Sequence, residues 1–443
     1  MADPTAETVD LLQQLIRNRC ENDGTPESGQ EVRNAAVLLD RLESTPLDVE
    51  TYEPAPGRTS LVARMDGSDP GAPALLLMGH TDVVPADADR WRRDPFGGEL
   101  VDGEVWGRGA VDMLNLTASM AVAVRRLARS GFRPRGTLIY LAVADEEALG
   151  VHGAQWLVEH HRDAVAADYV LTETGGIPFP SPGGVKLPVL VAEKGIQWCR
   201  LRVRGTAGHG SQPYRTDNAL VLGAEVVRRL AEHEVPAQIH EVWRRFVEGM
   251  GYGPELRDAL LCPERLRELL PTLPLGMARQ FHACTHPMIA PTIVSGGSKI
   301  NVIPDAVELQ LDIRTLPGQS ARDVEELLRD ALGDLRDRVE IDTEVAVEAS
   351  ASAIDTPLWD TLRRVSARFH PGAATVPYLV VGATDARFLR RLGATAYGYG
   401  MFSRKMTFEQ FGTMFHGTDE RIDVESLGLS VALWEDVCRD LLG

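Results

Sequence analysis

No apolar run in the 443 residues approaches the ~20 needed to cross a bilayer; runs such as Ala74–Met78 (ALLLM) stop far short. A membrane protein is therefore not expected. The opening Met1–Asp10 (MADPTAETVD) has neither a basic stretch nor an apolar one, so no ordinary secretory signal is read there. Cysteine is scarce. Cys20, Cys199, Cys262, Cys284 and Cys438 are odd in number, widely scattered and without a CxxC pair. Buried free thiols and a reducing, cytoplasmic location are expected rather than a disulfide framework. No basic run offsets the acidity: 46 Lys and Arg against 64 Asp and Glu leave a net charge of −18. Phosphate repels such a chain, so nucleic acid is not expected as a partner. A nucleotide-binding loop is also missing. GGSK at 296–299 lacks the upstream glycine spacing, and the glycines before Asp112 lack the third small residue of a dinucleotide fingerprint.

What remains is an ordinary globular composition, 44% apolar and 25% charged. At roughly 150 residues per domain the length implies two or three domains. The first third alternates strands and helices. Residues 6–18 and 30–43 have helical periodicity, 59–65 and 74–79 read as strands, and a helix is expected over 114–130. Strands follow at 136–144 and 168–172, with a helix near 151–161 between them. Continuous apolar strands between helices predict a mostly parallel sheet covered on both faces. Near Gly195 the pattern changes to apolar–polar alternation (197–205), then a helix at 217–233, strands at 299–303 and 307–315, a helix at 320–333 and a strand at 339–347. That order is a compact α+β module of the split βαβ, ferredoxin-like type. It is interrupted by a helical, proline-containing stretch, 236–290. From about 350 the β–α style returns and runs to a helix at 424–441. The simplest division is a first part over 1–195, an inserted module over 196–349 carrying the extra segment, and a second part over 350–443.

Chemistry-bearing residues gather at predicted strand ends, where open α/β sheets bind ligands. His80-Thr81-Asp82 follows the strand 74–79; alone this is either turn chemistry or an imidazole oriented by a carboxylate. Asp112 stands at a strand-to-helix junction as a helix cap or as a bridge between cations. Asp145-Glu146-Glu147 ends another strand, either as a solvated loop or as a metal-held carboxylate beside a general base. Glu173 ends the next strand, and His416 precedes the last helix. Two imidazoles with three carboxylates suit two divalent ions, zinc favoured by the imidazoles.

With these residues in place, the segments GHTDVVP, WGRGAVDM, ADEEALG, TETGG, EKG, GTAGHGSQP, GGSKINVIPD, DIRTLPG, GATDARF and FHGTDERI run in order along nearly the whole chain outside 236–290. Together they resemble the di-zinc exopeptidase and deacylase family. That family includes glutamate carboxypeptidase, carboxypeptidase S, acetylornithine deacetylase, succinyl-diaminopimelate desuccinylase and aminoacylase. The resemblance implies an α/β fold of the zinc-exopeptidase type with an inserted lid and dimerisation domain. It implies that His80, Asp112 and Glu173 hold one zinc and that Asp112, Glu147 and His416 hold the other, with cobalt or manganese as substitutes. Glu146 would be general base to a hydroxide held between the metals, and Asp82 the partner of His80. His209 would support the oxyanion, supplied across a homodimer in dimeric relatives. Asn301, Arg314 and Gly382 would touch substrate, and Lys194 is read as structural. A cis peptide between Asp112 and Met113 is implied as well.

Two departures stand out: Leu114 replaces a lysine that many relatives carry, and the segment 236–290 exceeds the inserted domain of the smaller members. The expected substrate is a small peptide or an N-acyl amino acid with a free carboxylate. A carbamoyl-amidohydrolase is the alternative, ranked lower because VVPADADRW stands where that branch has a Gly-Gly run. A non-catalytic binding protein on the same fold is the other.

Overall fold

The computed structural model describes residues 3–443. The strands Leu138–Val143, Leu75–His80, Tyr169–Thr172 and Thr395–Gly398 lie side by side and parallel at the centre of the larger sheet. Every residue of Leu75–His80 and of Leu138–Val143 is buried, as expected of strands covered on both faces. Alternation along them divides two cores. Leu75, Leu77, Leu138 and Tyr140 face the helices Pro4–Arg17, Leu114–Arg129 and Val424–Leu442. Leu76, Met78, Ile139 and Leu141 face Ala154–His160 and Ala386–Arg391. On one side the sheet continues antiparallel through Ser60–Met65 and Asp48–Tyr52. On the other it meets Gly184–Glu193, which pairs parallel with Ala374–Val380 and antiparallel with Phe179–Ser181 and Ser350–Ala351.

Glu193 ends one sheet and Gly195 begins another. The second sheet is antiparallel, in the order Met288–Gly296, Ala306–Thr315, Gly195–Arg204, Val339–Val347. Cys199, Leu201 and Val203 alternate with polar residues and share a core with Leu309, Leu311 and Ile313 and with the helices Ala219–Glu232 and Ala321–Leu332. The expected strand order is present with one correction. The ladder strand is Met288–Gly296, whereas only Val302–Ile303 of 299–303 is extended, and it pairs with Gly208–His209. Met288–Gly296 lies at the edge, mostly exposed, so it lacks the buried apolar alternation that marks a strand. The helices of 236–290 bury Trp243, Phe246, Phe281 and Cys284 in the core of the larger sheet, together with Val376 and Leu379.

At the junction the buried Glu193 accepts hydrogen bonds from Thr384 N (2.6 Å), Thr384 Oγ1 (2.9 Å), Arg390 Nη1 (2.6 Å) and Ser350 Oγ. Glu193→Ala leaves the Arg390 guanidinium buried without its counter-charge. A loss of about 3–5 kcal/mol is expected, read as a lower urea midpoint at unchanged slope.

Candidate metal centre

Strand ends place most of the cluster. His80 is the last residue of its strand, Glu146 and Glu147 follow the neighbouring strand, and Glu173 follows the strand on the other side. Asp112 arrives on the loop before the helix Leu114–Arg129, and His416 on the loop after the helix Phe408–Met414. Asp112 lies between the two imidazoles. Its Oδ1 is 3.2 Å from His80 Nε2, and its Oδ2 is 2.9 Å from His416 Nε2. His416 Nε2 also lies 3.3 Å from Glu147 Oε2. The bond between Asp112 and Met113 is cis, as the resemblance implied.

Among the described residues, three sets of side chains bring ligand atoms within 4.8 Å of one another: His80, Asp112 and Glu173; Asp112, Glu147 and His416; and His80, Glu146 and Glu147. The first two share Asp112 and use each remaining group once. They could therefore hold two cations, with Glu146 left over.

The loops are fixed by groups the sequence motifs did not single out. Glu420 is fully buried and accepts the amides of Gly109 (3.0 Å), Val111 (2.7 Å) and Asp112 (3.0 Å), while Arg108 Nη1 donates to it at 3.0 Å. It holds the Asp112 loop from below. Its place inside FHGTDERI was the available signal. Asp82 stands against His80, chiefly through its backbone. His80 Nδ1 bonds the Asp82 carbonyl oxygen at 2.9 Å, and the Asp82 carboxylate lies 3.6 Å from that nitrogen. The carboxylate instead accepts the amides of Glu146 (3.2 Å) and Glu147 (3.0 Å) and the Asn22 side chain (2.9 Å). Asp385, from GATDARF, is buried with neither oxygen hydrogen-bonded, Arg387 Nη2 lying 4.0 Å from Oδ1, and burial pushes its carboxyl up to about 7.

The electrostatics are those of an acidic pocket. Burial opposes the His80 cation, yet its bond to Asp112 and the charges of Glu146 and Glu173 hold its pKa well above the histidine range. For His416, burial is outweighed by Asp112 and Glu147, and the pKa is pushed up to about 10. Burial, then the charge of Glu173, raises the Glu146 carboxyl well above its usual range; burial, then Asp112, does the same for Glu173. Glu147 Oε1 is buried without a hydrogen-bond partner. Oxygen and imidazole donors crowded beyond neutrality, one of them orphaned, suit divalent cations.

The centre opens into a cavity of about 910 Å³ that Arg314 and Gly382 also line. Arg314 is engaged by Asp312, with Nε–Oδ1 2.8 Å and Nη2–Oδ2 3.1 Å. Neither His209 nor Asn301 lines the cavity. Both are exposed, beside each other, with Gly210 N donating to the Asn301 carbonyl at 2.8 Å.

Residues 76–440 match the model of Peptidase family M20/M25/M40. The chain is 26% identical over 449 residues to a succinyl-diaminopimelate desuccinylase of Cereibacter sphaeroides, covering 99% of this chain and 98% of that protein. It is 27% identical over 375 residues to the human N-fatty-acyl-amino acid synthase/hydrolase PM20D1, covering 82% and 73%. Among solved structures, the M20 family metallo-carboxypeptidase Sso-CP2 from Sulfolobus solfataricus superposes with a TM-score of 0.70 at 17% identity, covering 100% and 99%.

A cation entering this cluster must displace protons that His80 and His416 hold to unusually high pH. Metal affinity is therefore expected to be weakest in acid and to climb as pH rises toward about 10. Between about pH 6 and pH 8 the climb should be roughly tenfold or more per unit. Calorimetry of zinc uptake in buffers of different ionisation enthalpy should show net proton release. An affinity flat in pH would contradict these shifts.

Proposed function

The chain belongs to Peptidase family M20/M25/M40 and is a metallo-hydrolase; from that premise we propose that it cleaves an amide next to a free carboxylate, in a small peptide or an N-acyl amino acid. The carrying observation is the pair of ligand sets that share Asp112. In this reading His80, Asp112 and Glu173 hold one divalent ion and Asp112, Glu147 and His416 the other, zinc being preferred and cobalt or manganese tolerated. When bound, the cations supply positive charge that acidifies a water and polarises the scissile carbonyl.

The protein's own groups do the rest. Glu146, in neither of those two sets, faces the cavity and acts as general base. It takes a proton from the attacking water and returns it to the leaving amine, a transfer favoured by a carboxyl that burial and Glu173 already raise. Asp82 fixes Glu146 and Glu147 through their amides and His80 through its carbonyl. Arg314 and Gly382 sit at the substrate's end of the cavity, Arg314 as a planar fork for the carboxylate.

His209 and Asn301 belong, in this proposal, to the other subunit's site. The mostly exposed edge strand Met288–Gly296 leaves Ile293 and Val294 in solvent, and Leu220, Val221 and Ile300 are exposed as well. An exposed apolar edge of this kind pairs with another chain. We infer a homodimer through the module of 196–349, which would act as lid and dimerisation domain between the parts 1–195 and 350–443. No described helix is long and apolar enough to cross a membrane. The five cysteines are free, which supports a cytoplasmic location.

Glu146→Gln should keep both metals and lose about a hundred- to ten-thousandfold in kcat. Glu147→Gln should instead lower metal content, measured by elemental analysis of the purified protein. Near-native turnover by Glu146→Gln would remove the assigned roles.

Arg314→Ala should raise KM for substrates with a free α-carboxylate and barely alter carboxyl-amidated analogues. Equal losses on both would separate Arg314 from the carboxylate.

His209→Ala should lose about a hundred- to a thousandfold in kcat with metals retained. Mixing it with inactive Glu146→Gln subunits should restore activity, because one site of the heterodimer then has both native groups. Heterodimers without activity would place His209 in its own subunit or outside catalysis.

A further inference from the structure

The cavity beyond the centre is walled by apolar and aromatic side chains, and the wall begins at the candidate ligand itself. The Phe415 ring stacks on the His416 ring with centroids 4.7 Å apart and planes 17° apart. From there Phe415, Phe411 and Phe408 line the cavity along one helix and its end. Their spacing of four and three residues puts them on one helical face. Phe408 is held edge-on by Phe179 (5.5 Å) and Tyr378 (6.3 Å), and Phe411 by Phe402 (5.8 Å). Opposite them the strand Gly184–Glu193 contributes Pro188 and Leu190, and the second sheet contributes Ile196 and Trp198. Rings fixed by other rings form a preset surface rather than one that collapses on itself.

The cationic groups of this wall are spoken for. Arg314 is forked onto Asp312. Arg387 donates inward to the carbonyls of Thr384 (2.6 Å) and Leu149 (2.8 Å). The reading above already commits Arg314 to the substrate's own carboxylate and Arg387 is turned away, so this wall has no cation left for a second carboxylate, while an aliphatic chain or an aromatic ring loses its water against Phe408, Phe411 and Tyr378.

The geometry points to a substrate that carries a bulky apolar group on the scissile amide, rather than a short or charged acyl group. This rests on the amide-hydrolase reading above and names the substrate class of that same site. The shared chemistry is an apolar substituent on either side of the amide: a medium or long acyl chain, or a large amino-acid side chain.

A panel with the metal-loaded enzyme tests it in two arms. One arm varies the acyl group on N-acylglycine from acetyl through butanoyl and hexanoyl to decanoyl, with succinyl included. The other keeps acetyl and varies the amino acid through glycine, leucine and phenylalanine. In the arm whose group enters the wall, kcat/KM should rise roughly threefold to fourfold for each buried methylene. Succinyl should fall below butanoyl. Phe408→Ser, at a half-buried position lining the cavity, should reduce the ratio of the largest to the smallest substrate by about tenfold. Hydrolysis that is flat in both arms, or fastest with succinyl, would overturn the apolar assignment and leave the amide-hydrolase reading standing. No hydrolysis of any member would overturn that reading and this inference with it.

Discussion

Asp112 holds one imidazole with each carboxylate oxygen, and the rest of the site is arranged around that double contact. The two histidines come from opposite ends of the sequence, His80 from the sheet and His416 from a loop after a short helix. Only a carboxylate held rigidly between them can serve both. The rigidity comes from Glu420, whose buried carboxylate takes the amides of Gly109, Val111 and Asp112 and a guanidinium. Burial pushes the Glu420 carboxyl up to about 7, so this anchor is itself under electrostatic load. Left-handed backbone at Asp145, Thr174, His416 and Asp419 lies beside the clustered groups. Such conformations persist in non-glycine residues where surrounding packing over-determines them.

The central strands were legible because burial on both faces leaves a simple trace, an uninterrupted apolar run. Leu75–His80 and Leu138–Val143 are of this kind. The cluster at their ends was legible for a related reason, since carboxylates and imidazoles rarely follow such strands without a task. Gly184–Glu193 escaped because Lys186 and Pro188 break its pattern, although Pro188 sits in the parallel ladder opposite Val376. Met288–Gly296 escaped because an exposed edge imposes no alternation. Glu420 and Asp385 lay inside quoted motifs, yet nothing in spacing tells a carboxylate that binds a cation from one that binds backbone amides. That distinction is made by the fold, which brings Glu420 to a loop more than three hundred residues earlier.

The extra segment 236–290 belongs to one module by sequence and to the other by packing. Trp243, Phe246 and Phe281 pack around one another and against Tyr378, a residue of the cavity wall. Gln280 of the same segment lines the cavity. The insertion therefore shapes the wall of the cavity, while the strand ends that carry the charged cluster lie outside that segment.

Lys194 lies where the chain leaves one sheet for the other, fully buried, its amine bonded to the carbonyl oxygens of Ala283 (2.9 Å) and His286 (2.7 Å) at the end of the helix Leu275–Thr285. Burial brings its pKa down to about 7. Its two carbonyl contacts tie the peptide between the sheets to the end of that helix. That helix buries Phe281 and Cys284 in the core of the larger sheet, so the chain leaves that sheet at a point held from both its own strand and the insertion.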